Sequence, residues 1–445
     1  MRRDRILPHL RAVNRIALAL AQAIVAIALL SGFGWVVKHR TKGDLNLGVA
    51  NAWVDGLSGF PDRFQQSVEA VQTLPQTFVP TPDDWSPINR LDEDVWALTA
   101  HSNEQSGRTF RLQNLRDGQV EHTWRTPESM AFKPHWRAHN PLMLEDRSLV
   151  SFVTNRSPLF RLDSTSALVW RQDSLSFHHA MNLDADGMLW VCAQQWEQGG
   201  RHVAYRGRYR MGDKTVHFLD NSVAQIDPSD GRILQVISMA DILRENDLGH
   251  LVLRSGDPQD PLHLNDVEPA LHRSLHFEEG DLFLSFRNLQ AVLQYRPSTR
   301  EVVRTIQGPL AAQHDVDILN DSTLVIFNNA TQENFGRYTS NKDKYPISKD
   351  QAELAQWHSE LTHFNLRTGA FTSPFQAVMA QEGIMTFTEG LQDMLPSGAA
   401  FVEEQNSGVL WVLNEDGVLY KDVMASHHPG HHHLPNWTRI VNLHD

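Results

Sequence analysis

Residues 313–329 read QHDVDILNDSTLVIFNN. Two alternating runs, VDIL and TLVIF, flank the turn residues Asn320, Asp321 and Ser322, so the stretch predicts an antiparallel hairpin with His314 at its entrance. The same pattern recurs as RAHNPLMLEDRSLVSFVTN from Arg137, HHAMNLDADGMLWVCAQQ from His178 and LQDMLPSGAAFVEEQNSGVLWVLNEDG from Leu391. Each copy has a polar start, a strand, a turn at Asp, Asn, Ser or Gly, and a second strand.

A second hairpin type follows these: ALVWRQDS near Ala167, SVAQIDPSDGRILQVI from Ser222, AVLQYRPSTREVVRTIQG from Ala291 and LTHFNLRTGAFTSPF from Leu361. RTFRLQNLRDGQVEHTW from Arg108 supplies a further outer hairpin. An inner and an outer hairpin make a four-stranded antiparallel blade, and the spacing predicts an all-β, six-bladed β-propeller over residues 91–445. A pair of β-sandwiches has similar strand spacing but not this repeated order of hairpins. Residues 199–218 and 331–359 read as long excursions, which in propellers tend to line the mouth.

Inner strands run in one direction around a propeller axis, so their first residues converge at one opening. Histidines stand there repeatedly: His178 and His179, His263, His314, and His139 as a further one. One such histidine is ordinarily structural, whereas several converging on an axis make a pocket. Arg287, in the apolar strand LFLSFRN, needs an anionic partner if buried; that partner is either a carboxylate of the protein or a bound oxyanion gripped by the guanidinium fork. Imidazole clusters also raise metal binding, but no H-x-x-x-H helix pair or cysteine pair accompanies this one, so no metal site is assigned. SHHPGHHHLPNW from Ser426 is a second histidine-rich stretch, for which adventitious metal binding is the simple expectation.

Residues 16–37 form 22 uncharged positions, about 33 Å as a helix, enough to cross a bilayer core. Five arginines precede them with Asp4 as the sole acid, which predicts a cytoplasmic N-terminus, an uncleaved inner-membrane anchor and an exported body in the periplasm. A cleaved signal peptide is the competing reading. Residues 1–42 are thus expected to be tail and anchor, and 43–90 a linker and lead-in with one helix in FPDRFQQSVEAVQTL. Beyond residue 42 the chain carries 32 basic and 52 acidic residues, a net charge of −20 that argues against nucleic acid as a partner. Its single cysteine, Cys192, excludes an intrachain disulfide.

Taken in order, the HH pair with D-x-D-G (Asp184–Gly187), H-x-N-D-V (His263–Val267), S-x-R-N (Ser285–Asn288) and Q-H-D (Gln313–Asp315) ahead of an alternating strand ending in N-N (Asn328 and Asn329) resemble the bacterial arylsulfate sulfotransferase family. The resemblance spans roughly residues 130–420. It implies a six-bladed propeller that transfers a sulfuryl group from an aryl sulfate donor to a phenolic or other hydroxyl acceptor. No nucleotide sulfate or other cofactor is implied, and the intermediate is a sulfohistidine. By the same resemblance His314 is the nucleophile and His263, Arg287 and His179 are catalytic, Arg287 and His263 holding the sulfuryl oxygens and His179 passing the proton between phenolate and acceptor; His178, Asn265 and His139 are expected to contact substrate. Ala180 after the HH pair and the lone cysteine depart from the family pattern, which often has an acidic residue there and a disulfide near the site. A non-catalytic binding propeller and a metal-dependent hydrolase or lyase are the other function classes compatible with the cluster.

Overall fold

The computed structural model describes residues 6–41, 47–50, 53–54, 77–102, 107–130, 132–133, 136–153, 158–197, 203–331 and 358–443. It divides into two compact units, Met1–Leu74 and Pro75–Asp445. In the first, Ile6–Thr41 is one helix, and its stretch Leu20–His39, with mean hydropathy 2.1, is long and apolar enough to cross a membrane; a signal sequence satisfies the same test. The helix expected at 60–74 lies outside the described residues.

The second unit is an all-β propeller. Among the described residues it contains five four-stranded antiparallel sheets. Blade 1 is Trp96–Ser102, Arg108–Asn114 and Val120–Arg125, with the C-terminal strand Arg439–Val441 as its innermost member. Blade 2 runs from Ala138 to Gln172, blade 3 from Leu175 to Ser238, blade 4 from Leu264 to Ile306 and blade 5 from His314 to Thr372.

Six like blades were expected. The remaining stretch instead builds a seven-stranded sheet from Leu391–Met394, Ala400–Glu404, Val409–Asn414, Gly417–Ala425 and His431–His433, joined by Phe78–Pro80 and Ile88–Asn89. Two strands therefore come from the segment read as lead-in. They pair with Phe78 opposite His433, their rings 5.0 Å apart, and Ile88 opposite Lys421, and at three and two residues they are too short for side-chain alternation to show. The histidine-rich stretch is part of this sheet: His432 hydrogen-bonds through its two ring nitrogens to Thr81 Oγ1 at 2.9 Å and to the carbonyl of Ser407 at 2.8 Å. Of the excursion at 199–218, Gly207–Met211 and Lys214–Phe218 form a separate hairpin; most of that at 331–359 lies outside the described residues.

The opening hairpin shows why the chain folds this way. Val316 pairs with Ile326 and Ile318 with Leu324, and Asn320 Oδ1 accepts from the Ser322 amide to close the turn. Leu324 and Ile326 pack towards blade 4 with Phe283 and Val292, whereas Val325 and Phe327 pack towards the seven-stranded sheet with Val402 and Trp411. A second strand buried on both faces has no polar side to show, so LVIF and LWVC are continuously apolar where alternation was expected. Each such side chain contributes about 1.5–3 kcal/mol on burial.

The inner strands are stapled to one another around the axis. Asp266 of blade 4 accepts the Val316 amide of blade 5 at 2.6 Å, and Asp315 of blade 5 accepts the Gln392 amide of the seven-stranded sheet at 2.7 Å. Asp393 accepts the Ile440 amide of blade 1 at 3.3 Å, and Arg439 reaches Asn140 of blade 2 at 2.6 Å and Asn182 of blade 3 at 3.0 Å. Asn182 in turn donates to the Val267 carbonyl of blade 4 at 3.0 Å. These groups surround a cavity of about 50 Å³ that Asp317 and Trp437 also line.

Candidate functional site

Each inner strand carrying a predicted histidine is irregular at its start. The pairing register slips between His139 and Leu142, Phe177 and Met181, Leu264 and Asp266, and His314 and Val316. Beside each slip one residue has a left-handed backbone: Asn140 (φ 45°), His179 (57°), His263 (47°) and Asp315 (43°). Such bulges break the strict alternation of a strand and re-aim side chains, commonly next to active sites. The effect is direct in the HH pair, where Nδ1 of His178 and Nδ1 of His179 come within 2.8 Å although the residues are adjacent.

The rings converge. His179 lies 5.2 Å from His263, 5.9 Å from His314 and 5.7 Å from Trp437, centroid to centroid, while His139 lies 6.2 Å from Trp437. His178 and His139 are buried behind this group, at 1% exposure each, whereas the His263 side chain is 30% exposed. Neither ring nitrogen of His139 has a hydrogen-bond partner. Asn265 is fully buried and donates to the Gln313 carbonyl at 2.7 Å, which places it in support of the His314 segment rather than at an open surface. Arg287 is 7% exposed; its Nη1 donates to Asn288 Oδ1 at 2.8 Å, and its charge acts on His314.

Burial dominates the electrostatics. It lowers His314 to about 3, with Arg287 adding to the effect, and His139 to about 3, with Arg137 adding. His178 is lowered to about 4 by burial and by His263, and His179 is held well below the ordinary imidazole range by burial and then by its imidazole neighbours. These rings are therefore neutral at physiological pH.

Asn329, of the N-N pair, and three groups that the motifs did not single out complete the site. Asp260 Oδ2 sits 2.7 Å from Nδ1 of His263; burial opposes its ionisation, but the hydrogen bond and charge of His263 prevail and hold its carboxyl below the usual range. Asn329 Oδ1 sits 2.7 Å from Nδ1 of His314. Glu389, left-handed at φ 60°, directs its amide to Nε2 of His314 at 3.3 Å, and Arg137 grips the Glu389 carboxylate with two bonds of 2.8 and 2.5 Å. The signal for Asp260 was its place three residues before His263, and for Asn329 its place at the end of the hairpin that His314 opens. Asp315 lines the axial cavity instead of orienting a histidine ring.

Fold and site together define a β-propeller whose inner-strand entrances gather neutral imidazoles, a guanidinium and a carboxylate-backed histidine. The family described as Arylsulfotransferase (ASST) matches residues 140–424, and the chain belongs to that family, which implies a sulfotransferase-type enzyme. No curated protein matches the chain.

Among solved structures, a Bacteroides caccae protein of unknown function is similar at 8% identity and a TM-score of 0.48, over 78% of this chain and 99% of that one. Virginiamycin B lyase from Staphylococcus aureus is similar at 9% identity and 0.37, over 77% and 88% of the two chains. Hydrazine synthase from Kuenenia stuttgartiensis is similar at 14% identity and 0.34, over 62% and 76%. These superpositions carry no functional argument.

Proposed function

We propose that the protein moves a sulfuryl group from an aryl sulfate to a hydroxyl acceptor by way of a sulfohistidine on His314. The observation that carries this reading is a neutral, buried His314 beside Arg287 and within one ring contact of His179, in a chain of the arylsulfotransferase family. A neutral imidazole has a free lone pair, so it attacks sulfur without prior loss of a proton.

In the first displacement a His314 nitrogen bonds to sulfur while the sulfur–oxygen bond to the aryl group breaks, its electron pair leaving on the phenolic oxygen. Arg287, whose charge acts on His314, is assigned to offset charge on the sulfuryl oxygens. We assign proton transfer to His263 rather than to His179. His263 is partly exposed and has Asp260 behind it to stabilise an imidazolium, whereas His179 is crowded by other imidazoles that disfavour a charge. His263 gives its proton to the departing phenolate. It then takes one from the acceptor hydroxyl, whose oxygen attacks sulfur as the nitrogen–sulfur bond breaks and His314 is restored.

The seven-stranded sheet is counted in this reading as the sixth blade. The apolar N-terminal helix is proposed to be an inner-membrane anchor with the propeller, residues 91–445 and the strands that precede it, in the periplasm.

The test is incubation of the full chain in detergent with an aryl sulfate and a phenol. Phenolate release that survives chelation and is lost in His314→Ala is expected, together with a gain of about 80 mass units on His314 when acceptor is withheld. Absence of release from the wild type across several aryl sulfates would overturn the reading.

A further inference from the structure

Three contacts fix which nitrogen of His314 holds the hydrogen. Nδ1 faces two oxygens, the Ala312 carbonyl at 3.1 Å and Asn329 Oδ1 at 2.7 Å. Nε2 faces a donor, the amide of Glu389, at 3.3 Å. The orientation of the Asn329 amide is settled by its other end: Nδ2 donates to the carbonyls of Thr386 at 2.9 Å and Glu389 at 2.7 Å, so the oxygen must be the atom turned to His314. All three contacts agree on one tautomer, with hydrogen on Nδ1 and the lone pair on Nε2.

We infer that Asn329 is a positioning residue that holds the hydrogen of His314 on Nδ1, so that the sulfuryl group is carried on Nε2, whose lone pair leaves the Glu389 amide for sulfur while that amide passes to a sulfuryl oxygen. The inference rests on the sulfuryl-transfer reading for its kinetic consequence alone. When Nε2 bonds to sulfur, the ring becomes an N-sulfoimidazolium that keeps its Nδ1 hydrogen. In the second displacement the nitrogen–sulfur bond breaks with its pair returning to Nε2, and the ring leaves as neutral imidazole.

An acceptor at Nδ1 that is itself neutral suits both steps. It supports the positive ring without competing for the hydrogen, and it leaves the ring a good leaving group. A carboxylate at the same place would bind the charged ring more strongly and slow its departure. The backbone carries the rest of the device: Glu389 is held at a positive φ, and its amide is aimed at the attacking nitrogen from the loop that enters the seven-stranded sheet. Adding a Cβ at the next residue, Gly390, would bring it within 2.5 Å of the Phe327 ring at φ 92°, so the turn that presents this amide depends on glycine there.

The test compares Asn329→Leu with Asn329→Asp in the full chain labelled with nitrogen-15 in its histidine rings, the His314 signals being assigned by their loss in His314→Gln. Leucine removes the oxygen, whereas aspartate keeps it; both abolish the two bonds to Thr386 and Glu389. The wild type is expected to show hydrogen on Nδ1 alone. Asn329→Leu is expected to show a mixture of tautomers and a first-turnover phenolate release slower by about 10–100-fold, as for other groups that orient a reacting side chain. Asn329→Asp is expected to restore the single tautomer and the fast first release while slowing transfer to the acceptor.

Equal loss in both variants would show that the bonds to Thr386 and Glu389, and not the tautomer, are what matter, and would overturn the inference. A pure Nδ1 tautomer in Asn329→Leu, or hydrogen on Nε2 in the wild type, would do the same. If the wild type releases no phenolate, the sulfuryl-transfer reading falls, but the tautomer comparison still decides the role of Asn329.

Discussion

Asp260 Oδ2 lies 2.7 Å from Nδ1 of His263, a pairing made within three residues of loop ahead of blade 4. Its carboxyl also accepts the His263 amide at 3.3 Å, and the Asp260 carbonyl is held by Asn288 Nδ2 at 2.7 Å, so the group is anchored on both sides. An imidazole backed this way is oriented and its charged form is stabilised, which is what alternating proton donation and acceptance requires. Asp260→Asn keeps the shape and removes the charge. It is expected to lower kcat by about 10²–10⁴-fold with KM little changed, measured with a phenol acceptor. Unchanged kcat would return the proton role to another group.

The His314 ring should be silent to pH in the working range. With its folded pKa near 3 against an ordinary 6.5, its nitrogen signals are expected to stay constant from pH 8 to pH 5. The same depression has a stability consequence. His314, His139 and His178 are neutral when folded but take protons when unfolded below pH 6.5, so their contribution to stability falls as pH drops from 6.5 towards 4, opposite in sign to that of the axial carboxylates. The slope is about 1.4 kcal/mol per pH unit for each such ring. Melting of the wild type and of His314→Gln across that window isolates the contribution of one ring: the destabilisation caused by the substitution is expected to shrink on acidification, and a constant difference would contradict the burial assignment of His314.

How far the sequence was legible follows from what makes each contact. The hairpins at Arg137, His178, Gln313 and Leu391 were readable because their turns and apolar alternation are local. Closure of blade 1 by Arg439–Val441 was not, since three residues 341 to 345 positions from their partners leave no local pattern. The strands at Phe78 and Ile88 escaped for a related reason: at three and two residues they are too short for alternation to show. Within the site, His179, His263 and His314 follow from recurrence, and Asn329 stands in the N-N pair without its role being marked there, whereas Glu389 acts through a backbone amide that no residue type reveals.

The axial cavity predicts a gain of stability from losing a charge. Burial, reinforced by nearby carboxylates, raises Asp315, Asp317 and Glu268 well above the usual range, while burial raises Asp266 to about 7 and Asp393 to about 6. An acid whose folded pKa is raised binds more protons folded than unfolded, so its penalty is absent at pH 4 and grows as pH rises towards the folded pKa. Asp317→Asn still offers an oxygen to the Gln392 amide side chain and removes one of these penalties. It is expected to stabilise the protein by about 1–3 kcal/mol at pH 8 and by less at pH 6. Denaturant unfolding at the two pH values measures the difference, and equal effects at both would show that Asp317 is not held protonated.

Arg439 should give the opposite sign at the same place. It lines the cavity with Asp266, Asp315, Asp317 and Asp393, and its charge lowers each of them against the burial that raises them. It also joins three blades, through Asn140, Asn182 and the Met181 carbonyl, from a strand that closes blade 1. Arg439→Met therefore removes three clasps together with the positive charge. The clasps are lost at every pH, but the charge matters only where the carboxylates are ionised. The destabilisation is expected to reach about 3–5 kcal/mol at pH 8, as for removal of one partner from a buried ionic group, and to shrink towards pH 6 as Asp266 takes up its proton. In an Asp393→Asn background the loss at pH 8 is expected to be smaller, because Asp393, raised only to about 6, is ionised at that pH and its replacement leaves one fewer carboxylate facing the vacated site. Additive losses in the double variant, read by denaturant unfolding at pH 8, would show that Arg439 acts through its clasps alone.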